Sequence, residues 1–138
     1  MDAFLQEKLR SHHYVYFLDF APPLEILKKT LDVAEHVTVL DHHISSQELY
    51  RGVIHPKLQT FFDMSRSGAG LAWDYFMAGA EKPDFLKMVQ AIDLRHEDYL
   101  KDYDLFFDAA AYLDQLDLSD FQVLMGEVSK LQAHDITD

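Results

Sequence analysis

The sequence has no cysteine, only five glycines and four prolines in 138 residues, and half as many basic as acidic side chains. It also lacks any long apolar run. Each absence removes a class of function. Without Cys there is no disulfide framework, no thiolate zinc or iron–sulfur site and no cysteine nucleophile. Twelve Lys and Arg against 24 Asp and Glu give a formal net charge of −12. That is the wrong sign for indiscriminate attraction to a polyanion, because backbone phosphates are held chiefly by clustered Lys and Arg. Any activity on nucleic acid needs a local site with bound cations. No apolar stretch approaches the roughly 18 to 20 residues of a membrane span, and the opening MDAFLQEKLR is charged, unlike a secretory signal. The expectation is a cytoplasmic protein with no membrane partner.

What is present suits one compact domain over residues 1–138. Apolar residues make up 49% of the chain, and about 100 to 200 residues bury a sizeable core. No segment is rich enough in Gly, Pro or Ser to be a linker, and no repeat or low-complexity tract interrupts the chain.

The order of elements points to an α/β fold. Tyr14 to Leu18 (YVYFL) is an aromatic and β-branched run that stops at Asp19, the pattern of a short buried strand. From Pro23, the residues Leu24, Leu27, Leu31 and Ala34 recur at three- and four-residue spacing, which predicts an amphipathic helix with Pro in its first turn, ending near His36. Val37 to Leu40 (VTVL) reads as a second strand running into Asp41. Strand, helix, strand at this length predicts a right-handed βαβ unit with parallel strands. Gln59 to Phe62 is a third strand candidate. Ser67 is placed to cap a helix carrying Leu71, Ala72, Tyr75 and Phe76. Pro83 opens another helix with Phe85, Leu86, Val89 and Ile92 on its apolar side. The remainder reads as helical: Ser119 and Gln122 have capping-box spacing, and Phe121, Leu124, Met125, Val128 and Leu131 form a core stripe. The fold expected is a three-layer α/β domain with a small, mostly parallel sheet and a helical C-terminal part.

In an open parallel sheet, ligands gather outside the carboxyl ends of the strands. Asp19 and the triplet Asp41, His42, His43 stand there. If the strands are neighbours, Asp19 lies on the order of 5 to 10 Å from the histidines. Carboxylate with imidazole at that range can hold a divalent metal, and mixed oxygen and nitrogen ligation suits Mn, Fe, Co or Zn better than Ca or Mg. A plainer reading stands beside this one: an Asp at a strand end is commonly a turn residue, and adjacent loop histidines are commonly solvated or hydrogen-bonded.

The segment VYFLDFAPPLEILKKTLDVAEHVTVLDHHISS resembles the middle of the DHH phosphoesterases, a family named for its Asp-His-His triplet. The following DMSRSGAGLAWDYF resembles the SGA-containing helix start of its exopolyphosphatase-like and oligonucleotide-degrading members, so the likeness covers roughly residues 14 to 95. The resemblance implies hydrolysis of a phosphoester or phosphoanhydride by water activated on two divalent cations, commonly Mn²⁺. It implies that Asp19 bridges the metals, that His42 ligates one of them with Asp41 supporting the triplet, and that His43 contacts the scissile phosphate. Asp93, in QAIDLRH, corresponds to a later acid that completes the second metal's shell. Ser65, Arg66, Ser67 and Gly68 could bind phosphate at a helix N-terminus, a reading that the likeness favours and the ordinary capping role of Ser tempers, and Arg95 and His96 could meet phosphate by their proximity to Asp93. A metal pair suits such chemistry because it lowers the pKa of bound water while holding a phosphoryl oxygen.

The chain also departs from the family. It has no opening strand and loop with a histidine and an Asp-x-Asp pair, Ala91 stands where a second acid accompanies Asp93, and there is no room for the glycine-rich C-terminal substrate-binding domain. The expectation is therefore an N-terminally incomplete DHH-like domain. Its unpaired sheet edge would be covered by a homodimer or another partner. Two functions follow. One is a Mn-dependent phosphohydrolase acting on a phosphorylated small molecule or short oligonucleotide, whether nucleotide, oligonucleotide or polyphosphate. The other is a degenerate DHH-like module that binds or supports without turnover.

Other features have plainer readings. Phe61, Phe62, Trp73, Tyr75, Phe76, Phe106 and Phe107 could stack bases, but their helical spacing and lack of basic neighbours favour core packing. Asp98, Asp102, Asp104 and Asp108 lack the Gly and terminal Glu of a calcium loop.

Overall fold

A computed structural model describes residues 8–95. Two compact units divide after Phe76, and each is described by itself.

The first unit is a three-stranded parallel sheet with helices, in the order β1 (Tyr14–Leu18), α1 (Leu24–Val33), β2 (His36–Asp41), α2 (Ile44–Leu49), β3 (Leu58–Phe62) and α3 (Gly68–Phe76). The strands lie in the order β1-β2-β3, with Val15 opposite Val37 and Val37 opposite Leu58. Partners in neighbouring strands share a face, so the register sorts the sheet into two sides. Val15, Phe17, Val37, Val39, Leu58 and Phe62 pack with Leu27, Leu31, Ala34 and Tyr50 in one core. On the other side Tyr16 meets Tyr75 and Phe76 of α3, and Phe61 meets Tyr75. Helices thus cover both sheet faces, and the expected three-layer α/β arrangement with its parallel βαβ unit is present.

The buried positions of α1, Leu27, Thr30 and Leu31, follow the i, i+3, i+4 stripe of a core-facing helix. Thr30 sits in that apolar stripe because its hydroxyl donates to the Ile26 carbonyl at 2.8 Å. Leu24, predicted on the same stripe, is exposed. The helix ends at Val33 rather than near His36, because His36 is already paired with Tyr14 across the sheet and Ala34 has turned extended. Lys57 closes this terminus, its ammonium donating to the Leu31 and Ala34 carbonyls at 3.2 and 2.9 Å. A cation over the last carbonyls of a helix is favourable on both hydrogen-bonding and dipole grounds.

Three further boundaries differ from the sequence reading. Asp41 is the last residue of β2 rather than a loop residue after it, and β3 begins at Leu58. The six-residue α2 had no counterpart, and none of its residues is buried, so it leaves no apolar period to read. Ser67 does cap α3: its hydroxyl accepts the Gly70 N–H at 3.0 Å.

In the second unit, α4 (Asp84–Asp93) follows Pro83, which occupies the N-cap. Met88 and Ala91 are its buried residues, whereas Phe85, Leu86, Val89 and Ile92 are only partly buried. The buried face of the helix, Met88 and Ala91, thus lies to one side of the stripe formed by those four larger residues. The helix predicted from Ser119 onward, and Phe106, Phe107 and the acids from Asp98 to Asp108, lie outside the described residues. Among the described residues no helix is long and apolar enough to cross a membrane.

Candidate functional site

The carboxyl ends of β1 and β2 bring three of the predicted residues together. Asp19 is held to the sheet by its backbone, its N–H donating to the Leu40 carbonyl at 2.8 Å. There the chain turns sharply, with Asp19 at φ 57°, a left-handed conformation that Asp tolerates better than most residues. The turn aims the carboxylate across the sheet end: Asp19 Oδ1 lies 3.2 Å from His42 Nε2. His43 completes the group, since one ligand atom from each of Asp19, His42 and His43 lies within 4.8 Å of the others. The expected separation of 5 to 10 Å was too generous, because both side chains reach inward from adjacent strand ends.

Gly68, the first residue of α3, is the floor beneath Asp19. A Cβ at Gly68 would overlap the Asp19 side chain, so the close approach of helix to carboxylate requires a residue without one. The neighbouring Ser67 is almost fully buried, and its hydroxyl is engaged with Gly70. Two of the predicted phosphate-contact residues, Ser67 and Gly68, therefore stand at the helix start beside Asp19, one as its cap and the other as the gap that admits the acid.

Asp41 lies behind the histidines. It is 1% exposed, and its Oδ1 accepts the His42 and His43 backbone N–H groups at 2.8 and 3.3 Å. The same oxygen lies 2.6 Å from His43 Nδ1. Burial pushes the Asp41 carboxyl up, but the Ser46 hydroxyl, the His43 ring and those two amides outweigh it and hold the pKa below the ordinary carboxylate range. Oδ2 is buried with no partner in hydrogen-bonding geometry. A carboxylate that fixes one ring nitrogen sets the tautomer and leaves the other nitrogen for a ligand, as in many metal sites. Half-exposed His43 is thus anchored through Nδ1.

Sequence reasoning identified the triplet but missed two supports. Tyr50, buried beneath Asp41, donates its hydroxyl to the Pro22 carbonyl at 2.6 Å; burial and the Asp41 charge push its pKa up to about 12. Ser46 is the other. The Asp41-to-His43 contact was open to prediction, because residues two apart in extended chain face the same way.

At the same end of the sheet, between β3 and α3, lies a cavity of about 580 Å³ walled by Phe61, Tyr75, Thr60, Asp63, Arg66 and Asp74, among others. Arg66 is clamped there: Nε donates to Asp63 Oδ2 at 2.7 Å and Nη1 to Asp74 Oδ2 at 3.0 Å. The Asp63 carboxyl also accepts from the Ser65 hydroxyl and amide. The Ser65 bonds, with Arg66, pull its pKa down to about 2 against burial.

The remaining predicted residues belong to the second unit. Asp93 is the exposed last residue of α4. Arg95 follows its C-cap at φ 55°, with its N–H donating to the Ile92 carbonyl at 3.0 Å. That is the position where a left-handed residue, usually Gly, ends a helix. His96 lies outside the described residues.

Comparison with known proteins adds little to this geometry. No protein-family model matches the chain, and no solved structure matches it. An uncharacterized protein of Acanthamoeba polyphaga mimivirus is 30% identical over 88 residues, which are 64% of this chain and 20% of that protein. The chain spans about a fifth of the length of this curated relative.

Proposed function

We propose that this chain is a metal-dependent phosphohydrolase of the DHH type, with Asp19 and His42 as metal ligands, His43 directed at phosphate and Asp41 its orienting carboxylate. The observation that carries the reading is the convergence of Asp19, His42 and His43 within 4.8 Å, backed by a buried Asp41 that fixes the His43 ring. Mixed oxygen and nitrogen donors, here Asp19 and His42, suit Mn²⁺ or a similar divalent ion. When bound, such an ion supplies a water of lowered pKa and charge for a phosphoryl oxygen. The protein's own part is to hold the donors rigidly: Asp19 by its strand amide and by Gly68, and His43 by Asp41.

The test is calorimetric titration of Mn²⁺ into metal-free protein and into His42→Ala, with hydrolysis of bis-p-nitrophenyl phosphate measured in parallel. His42-dependent binding with Mn²⁺-dependent turnover is expected. Absence of any His42-dependent site overturns the reading.

A second reading is favoured by the donor count. Asp19, His42 and His43 offer donors for one ion rather than two, which suits a DHH-like module that binds a phosphorylated ligand without hydrolysing it. One His42-dependent site with no turnover would select it. Both readings include a partner for the sheet edge at β1, where Tyr14, Tyr16 and Leu18 are exposed. We place a second copy there, and light scattering that reports a strict monomer at micromolar concentration counts against it.

A further inference from the structure

We infer that the cavity between β3 and α3 receives the base of a nucleotide whose phosphate lies at the Asp19, His42 and His43 group, so that the ligand is a nucleoside phosphate or an oligonucleotide end rather than inorganic polyphosphate. The inference rests on the phosphate-directed reading of that group and deepens it.

Size and wall chemistry fit a heterocycle. About 580 Å³ is within the range of small-ligand pockets, which are mostly apolar with a few placed polar groups. Phe61 and Tyr75 meet edge to face with ring centroids 5.4 Å apart, and Phe61 is 44% exposed, so an aromatic surface is open to solvent there. Base-to-aromatic stacking tolerates any base, because every base has a π-face.

Charge excludes the alternative occupant. The cationic wall residue, Arg66, is engaged by both Asp63 and Asp74, so this part of the cavity carries two carboxylates for one guanidinium. A phosphate is repelled from such a wall, whereas a neutral base with N–H groups is accepted. A guanidinium pinned between two carboxylates is also a rigid flat surface of the kind on which bases stack.

Connectivity places the cavity next to the phosphate-directed group. Leu40 lines it and precedes Asp41. Asp41 and Phe62 are register partners, and the Asp63 N–H donates to the Asp41 carbonyl at 3.3 Å. The chain leaving β2 enters His42 and the chain leaving β3 enters the cavity wall, roughly one strand spacing of about 4.8 Å apart. A base and its own 5′-phosphate, separated by one sugar, span neighbouring sites of this kind.

The experiment compares adenosine monophosphate, ribose 5-phosphate and inorganic tripolyphosphate as ligands of the full chain with Mn²⁺, by calorimetry, and follows adenosine alone by saturation-transfer NMR. Adenosine monophosphate is expected to bind at least about tenfold more tightly than ribose 5-phosphate, consistent with one stacked base. Phe61→Ala, which removes the exposed ring from the cavity wall, should erase that difference; Phe61→Leu, which removes the ring but keeps bulk, should reduce it. Adenosine should bind His42→Ala as well as it binds the unaltered chain. Equal affinity for adenosine monophosphate and ribose 5-phosphate, or an advantage that survives Phe61→Ala, overturns the cavity assignment. If His42-dependent Mn²⁺ binding persists in that case, the phosphohydrolase reading stands without it. Loss of Mn²⁺ binding with retained adenosine binding would instead remove the phosphohydrolase reading and leave a base-binding cavity.

Discussion

His42 Nε2 lies 3.2 Å from Asp19 Oδ1, joining the residue after β1 to the residue after β2. Two side chains 23 positions apart in sequence become neighbours only because the strands pair in parallel and Asp19 adopts a left-handed turn. The contact is therefore sensitive to whatever holds either end.

Asp41 holds one end. Asp41→Asn keeps the shape but removes the charge that fixes His43, and outer carboxylates of this kind are worth on the order of 10- to 100-fold in metal affinity. Mn²⁺ affinity measured by calorimetry is expected to fall within that span while the far-UV circular dichroism of the sheet is retained. Unchanged affinity would show that His42, whose amide Asp41 Oδ1 accepts, is positioned without the Asp41 charge.

Gly68 holds the other. At a helix start Ala normally does no worse than Gly, and in a helix interior it is better by about 1 kcal/mol. Gly68→Ala should nevertheless destabilise the chain, by about 1–3 kcal/mol in urea unfolding, because the new methyl group overlaps Asp19. It should also weaken Mn²⁺ binding by displacing that carboxylate. A neutral or stabilising result would mean that Asp19 moves freely and is not a fixed ligand.

The acid limb of the stability curve should carry a signature of Asp63. Its folded-state pKa is about 2 against an ordinary 3.8, so the folded state prefers the ionised form. That contribution is complete above the ordinary value and is lost as pH falls from about 4 toward 2. Asp63→Asn should flatten the pH dependence of urea stability in that interval and leave it unchanged near neutrality, apart from a constant offset. Carbon-detected NMR titration of the Asp63 carboxyl gives the same answer directly.

Tyr50→Phe removes the bond to the Pro22 carbonyl and leaves a buried acceptor unpaired. A loss of about 1–3 kcal/mol is expected in urea unfolding, because Pro22 belongs to the link between Asp19 and α1. A loss below the error of the fit would place a water in the hydroxyl's stead.

The legible parts of this fold were those where one signal governs. The run YVYFL, the 3.6-residue stripe of α1 and the Ser67 cap each state a local preference that the packed chain keeps, although YVYFL is an edge strand with Tyr14, Tyr16 and Leu18 exposed and not the buried strand its apolar run suggested. The boundaries near His36 and Asp41 were misplaced because strand pairing decides them, and pairing is set by residues far away in sequence. Helix α2 was invisible because it buries nothing. At the site, Asp19 and the histidines could be nominated from their position after strands, whereas the support from Tyr50 depends on a contact across 28 positions to Pro22, which no local pattern encodes. The clamp on Arg66 was half legible: Asp63 stands three residues before it, but Asp74 reaches it only because α3 folds back along β3.

The sheet leaves one more trace. The Asp19 amide and the His13 carbonyl face β2, so in a parallel ladder the odd-numbered backbone groups of β1 are bonded and those of Tyr14, Tyr16 and Leu18 point outward. Among the described residues no strand lies on that side. Amide protons should therefore alternate along this strand, with those at 14, 16 and 18 lost to deuterium early and those at 15, 17 and 19 held until the sheet opens. A row of outward amides beside exposed tyrosines is also where concentrated protein would begin to self-associate.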